Sequence, residues 1–155
     1  MFYNEHGSLE SVNELDEGGK RRDRVYELFK KFEPAIHTYI IEYLKKKATE
    51  NGDSEYLTTK YVSGNILKKL HTKWIDDRQK DPIEAYFDFI DYKEILTNCK
   101  DLELDKIFKI DNRFEWMDKC NELRRDPAHT IKPPPTIEEV AYLERVVLQI
   151  LPRLN

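Results

Sequence analysis

The sequence predicts an all-α fold: a compact bundle of four to six helices with a mobile N-terminal arm. Three observations carry that reading. Apolar residues recur at the three-and-four spacing of an amphipathic helix from Val25 to Leu44 and again from Val140 to Leu151. Helix-start signatures such as Asp81-Pro82-Ile83-Glu84 and Thr136-Ile137-Glu138-Glu139 stand before apolar runs. Turn-forming clusters, above all Asn51-Gly52-Asp53-Ser54, separate the stripes. With 155 residues, 39% of them apolar, the chain has material for one core rather than two. The expected organisation is therefore an arm over residues 1–20 and a helical domain over residues 21–155.

The arm is expected because Gly7, Ser8, Asp16, Glu17, Gly18 and Gly19 interrupt only scattered apolar residues. From Arg21 to about Lys47, the residues Val25, Leu28, Phe29, Phe32, Ala35 or Ile36, Tyr39, Ile40, Tyr43 and Leu44 form a core stripe. Pro34 leaves open whether this is one kinked helix or two collinear ones. The second helix is expected to start between Thr58 and Ser63, burying Val62, Ile66, Leu67, Leu70, Trp74 and Ile75 under a basic exterior of Lys68, Lys69, Lys73 and Arg78. His37 and His71 read as packed or boundary histidines, since no paired ligand motif accompanies either. Asp81 and Pro82 mark a further helical start, with a break expected around Asp91. The acids Asp88, Asp91, Glu94, Asp101, Glu103 and Asp105 lack calcium-loop spacing and read as solvent-facing groups or caps, so no metal site is expected. Leu102, Leu104, Ile107, Phe108 and Ile110 should pack a connector or short helix, Asp111 or Asn112 should cap the helix of Trp116 and Met117, and Thr136 should open the closing helix.

The overall balance excludes several classes. A formal charge of −4, from 26 Lys and Arg against 30 Asp and Glu, is not that of a polyanion wrapper, though local basic patches fit it. Cys99 and Cys120 supply neither a disulfide framework nor a four-ligand zinc site and read as free, partly buried thiols. No stretch approaches the ~20 apolar residues that span a bilayer, and no apolar signal core opens the chain, so a cytoplasmic protein with no membrane partner is expected.

Chemistry concentrates in Asn121-Glu122-Leu123-Arg124-Arg125-Asp126-Pro127-Ala128-His129, just before the proline run Pro133-Pro134-Pro135. Pro127 has no amide hydrogen and crowds the carbonyl of Leu123, so the helix is expected to kink or end here. Arg124 supplies a permanently charged planar donor fork suited to phosphate or carboxylate; His129 exchanges protons near neutral pH. The pair suits RNA cleavage, with histidine managing the protons and arginine stabilising charge around phosphorus. The same two residues also suit a structural role, as an Arg124 ion pair and a His129 that satisfies the end of a broken helix.

The arginine, four intervening residues and histidine of Arg124 to His129, preceded by Asn121-Glu122-Leu123 and followed by a capped helix, resemble the HEPN superfamily. These small helical domains are named for higher eukaryotes and prokaryotes nucleotide binding. The resemblance covers about residues 21–154. It implies a helical bundle, a homodimer and, in active members, metal-independent RNA cleavage by paired Arg124 and His129 sites without a cofactor. Arg125 stands where the family frequently has a polar residue, commonly asparagine, which removes a side-chain amide and adds a cation. Two function classes follow. One is an endoribonuclease of RNA processing, toxicity or nucleic-acid defence, with Arg124 and His129 catalytic; Lys68, Lys69, Lys73, Arg124 and Arg125 would contact RNA, and Asn121, Asp126 and Pro127 would shape the motif. The other is a noncatalytic HEPN-like module for dimerisation, RNA binding or attachment to another protein domain.

Overall fold

The computed structural model describes residues 9–124 and 133–155, with side chains from residue 17 onwards. Six α-helices occur among the described residues: α1 (Leu9–Glu50), α2 (Gly64–Asp76), α3 (Phe89–Cys99), α4 (Leu102–Phe108), α5 (Trp116–Leu123) and α6 (Ile137–Ile150). Short 3-10 turns cover Ile83–Tyr86 and Leu151–Leu154. The all-α bundle expected from the sequence is thus the fold.

α1 organises the rest. Its 42 residues extend about 63 Å at 1.5 Å per residue, and α6, α3 and the C-terminal 3-10 turn pack along it. Phe32, Ile36, Ile40 and Leu44, one turn apart, are completely buried and share one core with Phe89, Tyr92, Ile95 and Leu96 of α3, Met117 and Cys120 of α5 and Leu143 and Ile150 of α6. Burying one such side chain contributes roughly 1.5–3 kcal/mol, so the α1 stripe is a main source of stability. Pro34 lies inside α1 and does not divide it. Packing on both sides of it outweighs the single backbone bond lost. The helix also begins earlier than expected, at Leu9, so that Gly18 and Gly19 are helical. Gly18 has a packing reason: a Cβ there would come within 2.8 Å of the Pro134 ring, and one turn away Arg21 Nε donates to the Pro135 carbonyl at 2.7 Å. The proline run therefore docks on α1 where glycine leaves room.

Caps explain several boundaries. Ser63 accepts the Ile66 amide to open α2, and Asp101 accepts the amides of Glu103 and Leu104 to open α4. In the capping box of α6, Thr136 and Glu139 each accept the other's amide, at 3.1 and 2.9 Å. Elsewhere the sequence expectation needs correction. Asp81 caps no helix: Pro82, without a side-chain cap bond, opens only a 3-10 turn over Ile83–Tyr86, and α3 starts at Phe89 under a capping box of Asp88 and Asp91, so the break falls before Asp91. Asp111 and Asn112 do not cap α5 but take positive φ of 53° and 62° in a tight turn closed by reciprocal bonds between Ile110 and Arg113. Acid and amide side chains tolerate that left-handed backbone. Ile75 and Leu102, expected in the core, are exposed, whereas Leu104 and Phe108 are buried. Both cysteines are free thiols, Cys120 buried and Cys99 partly so. No helix of the described residues is long and apolar enough to cross a membrane.

Candidate functional site

α5 ends at Leu123, and Arg124 closes it, its amide bonded to the Cys120 carbonyl at 2.9 Å. Buried Met117, Cys120 and Leu123 fix α5 against the core, which turns Arg124 outward. Its Nε donates to Glu33 Oε2 of α1 at 2.8 Å, and 41% of the side chain stays exposed. The pair stands at a cleft of about 760 Å³ whose lining also includes Tyr26, Lys30, His37, Phe87 and Tyr92.

Helical geometry assembles most of this lining. Tyr26, Lys30, Glu33, Pro34 and His37 follow at four, seven, eight and eleven residues, one face of α1 adjacent to the core stripe. Pro34 has no amide hydrogen, which leaves the carbonyl of Lys30 without its helical donor on the same face. Across the cleft, Tyr92 of α3 is almost entirely buried with its hydroxyl 2.6 Å from His37 Nδ1. Burial, reinforced by Glu33 and Asp91, pushes the Tyr92 phenol well above its usual range, so it keeps its proton. Burial also lowers the His37 imidazole; Glu84 and Glu33 oppose that shift and Lys45 adds to it. A neutral imidazole in the Nε2–H tautomer accepts the phenol hydrogen at Nδ1 and keeps one donor. The cleft thus holds a fixed guanidinium, a carboxylate, a neutral imidazole and the Lys30 ammonium, which lies 5.9 Å from the Tyr26 ring centre.

The other predicted residues divide. Lys68 is exposed on α2, but Lys69 and Lys73 are not a free basic exterior. Lys69 bonds Asp91 and lies 3.1 Å from Asp88, and Lys73 lies 2.6 Å from Asp88. Asp91, expected at a cap or in solvent, caps α3 yet is buried, with 4% of its side chain exposed. None of these three lysines lines the Arg124 cleft. Asn121 is half-buried on α5, while Arg125, Asp126, Pro127 and His129 lie outside the described residues. Glu33, His37 and Tyr92 went unread as a site. The available signal was the second helical face of α1, but their meeting depends on α3 and on the end of α5.

Both thiols are held away from reactivity: burial pushes Cys120 up to about 12 and raises Cys99. Among the described residues, no group of three or more His, Cys, Asp or Glu is placed to hold a metal ion. Comparison with protein-family models, with curated proteins and with solved structures finds no match to this chain.

Proposed function

We propose that the chain is a metal-independent endoribonuclease of the HEPN kind, acting in the cytoplasm as a homodimer. The observation that carries this reading is Arg124: a guanidinium anchored through Nε to Glu33, half-exposed at the lip of a cleft, whose terminal amino groups bond no other side chain among the described residues and suit a phosphate. An RNA 2'-hydroxyl attacks the adjacent phosphorus, His129 manages the protons of the attacking and leaving oxygens, and Arg124 stabilises the charge on the phosphoryl oxygens. The bond to the 5'-oxygen breaks, giving a 2',3'-cyclic phosphate and a 5'-hydroxyl end. One arginine and one histidine per subunit are few for this work, and a two-fold dimer doubles them in one composite site.

Mixed-sequence single-stranded RNA incubated with wild type, Arg124→Ala and His129→Ala in chelator tests the reading. Wild type should cut and leave cyclic ends, and each variant should lose turnover while keeping its helix content and mass. Cleavage that persists in both folded variants rejects the assignment.

A second reading, a noncatalytic HEPN-like module that binds RNA or another protein domain, is favoured by the carboxylate partners of Arg124, Lys69 and Lys73. It predicts RNA association that weakens with salt and survives His129→Ala, without product.

A further inference from the structure

The cleft on α1 has the chemistry of a base-reading pocket, and we propose that it takes one unpaired guanine, with Glu33 reading the base and Arg124 holding its phosphate. From Tyr26 to His37 the face extends about 16 Å along the helix, long enough for a base, its sugar and one phosphate. The volume of about 760 Å³ lies within the usual range of small-ligand sites. Phe29 and Phe87 are buried apolar surface at the cleft, and Tyr26, 49% exposed, offers a ring on which a base can stack. Unpaired bases are recognised by stacking of this kind combined with hydrogen bonds to the Watson–Crick edge.

Glu33 selects among the bases because a carboxylate only accepts. Guanine presents two adjacent donors, N1–H and the N2 amino group, to its two oxygens. Adenine and cytosine offer one amino donor beside an acceptor, and uracil offers one imino donor between two acceptors; each of these sets a lone pair against the carboxylate. Among the described residues Arg124 occupies one position on Oε2 at 2.8 Å, leaving Oε1 and a second lone pair on Oε2. The same bond consumes only the Nε of Arg124, so among the described residues its terminal amino groups and the Lys30 ammonium remain for the phosphate. The donor-poor acid and the donor-rich cations thereby sort the two ends of one nucleotide.

An RNA strand and a free nucleotide both present this guanine, and the chemistry is common to both. This inference rests on the phosphate-binding role given to Arg124 above, yet it fails separately. Calorimetric titration of the full chain with GMP, AMP, CMP, UMP, pentauridylate and the same pentamer with a central guanosine is the test. GMP and the guanosine pentamer should each bind at least about tenfold more tightly than their counterparts. Glu33→Gln replaces an acceptor with a donor and should erase that preference with helix content retained; Arg124→Ala should weaken all four nucleotides alike. Should Glu33→Gln not fold, Tyr26→Ala, at a half-exposed position, should cost at least about fivefold in GMP affinity by loss of stacking. A pentamer tighter than GMP assigns the base to RNA, and the reverse assigns it to a free nucleotide. Equal affinity for the four nucleotides, no binding of any, or a preference that survives in folded Glu33→Gln overturns the proposal. RNA cleavage without guanine preference would leave the ribonuclease standing and remove this inference, and guanine binding without cleavage would do the opposite.

Discussion

Of the ion pairs among the described residues, the α2–α3 cluster and the Glu33–Arg124 pair do different work. Between α2 and α3, Lys69 and Lys73 are matched by Asp88 and Asp91, while the Asp88 amide also donates to Asp91 at 2.7 Å. Two cations meet two anions, and the buried acid is both partner and cap. Between α1 and α5, Glu33 holds Arg124 by one bond at the edge of a cleft with apolar surface. The first arrangement saturates its charges and joins two elements. The second orients a cation and, among the described residues, leaves most of its donors for something else. An ion pair is therefore not in itself structural or functional; burial and the space beside it decide which.

The largest effect should come from breaking the closed cluster. Asp91→Ala leaves Lys69 without its buried partner and strips the α3 cap, and should cost about 3 kcal/mol or more. Glu33→Ala breaks a partly solvated pair and should cost less than about 1 kcal/mol. Urea unfolding of both proteins checks the contrast, and equal losses would break it. Next in size, Arg124→Ala should lower RNA cleavage by at least about 100-fold, the scale of losing a donor to developing oxyanion charge. Its stability should change by less than about 1 kcal/mol. A large loss of stability with turnover retained would assign Arg124 to the scaffold instead.

Most of the bundle was legible because one-dimensional spacing encodes burial: the α1 stripe and the Thr136 box could be read directly. The charged residues could not. Lys69 and Lys73 look like a basic face until Asp88 and Asp91, 15 to 22 residues away, fold back on them. Arg124 was identified from its chemistry, yet its anchor Glu33 lies 91 residues earlier, a pairing no local pattern records. His37 and Tyr92, 55 residues apart, meet only because α3 packs on α1. Gly18 misled for a related reason: glycine reads as a break, and here it admits the proline run.

That last point yields a smaller, signed prediction. Gly19 has open space where a Cβ would stand, so Gly19→Ala should stabilise α1 by about 0.5–1 kcal/mol through helix propensity. Gly18→Ala receives the same propensity gain but drives a methyl group against Pro134, whose neighbour is fixed by Arg21. It should lose that gain and more, lowering the midpoint of thermal unfolding where Gly19→Ala raises it. Midpoints that rise together would mean that the proline run yields freely.

The smallest effect separates the two clusters by pH. His37 has its imidazole lowered below 6.5 by burial in the fold. Below pH 6.5 the unfolded chain therefore takes up a proton that the folded chain resists. Stability contributed by neutral His37 is complete above that pH and falls as pH drops towards the folded value. Glu33 and Glu84 limit the fall by favouring the charged ring, whereas Lys45 deepens it. Urea midpoints for wild type should thus decline between pH 7.5 and 5.5, and His37→Gln should flatten part of that decline. Asp91→Asn, which alters the α2–α3 cluster, should leave this part of the slope in place because no histidine takes part there. Imidazole resonances of His37 followed by NMR give the independent reading: titration at or above 6.5, or an unchanged slope in His37→Gln, would remove His37 from the pH response and with it the neutral donor assigned to the cleft.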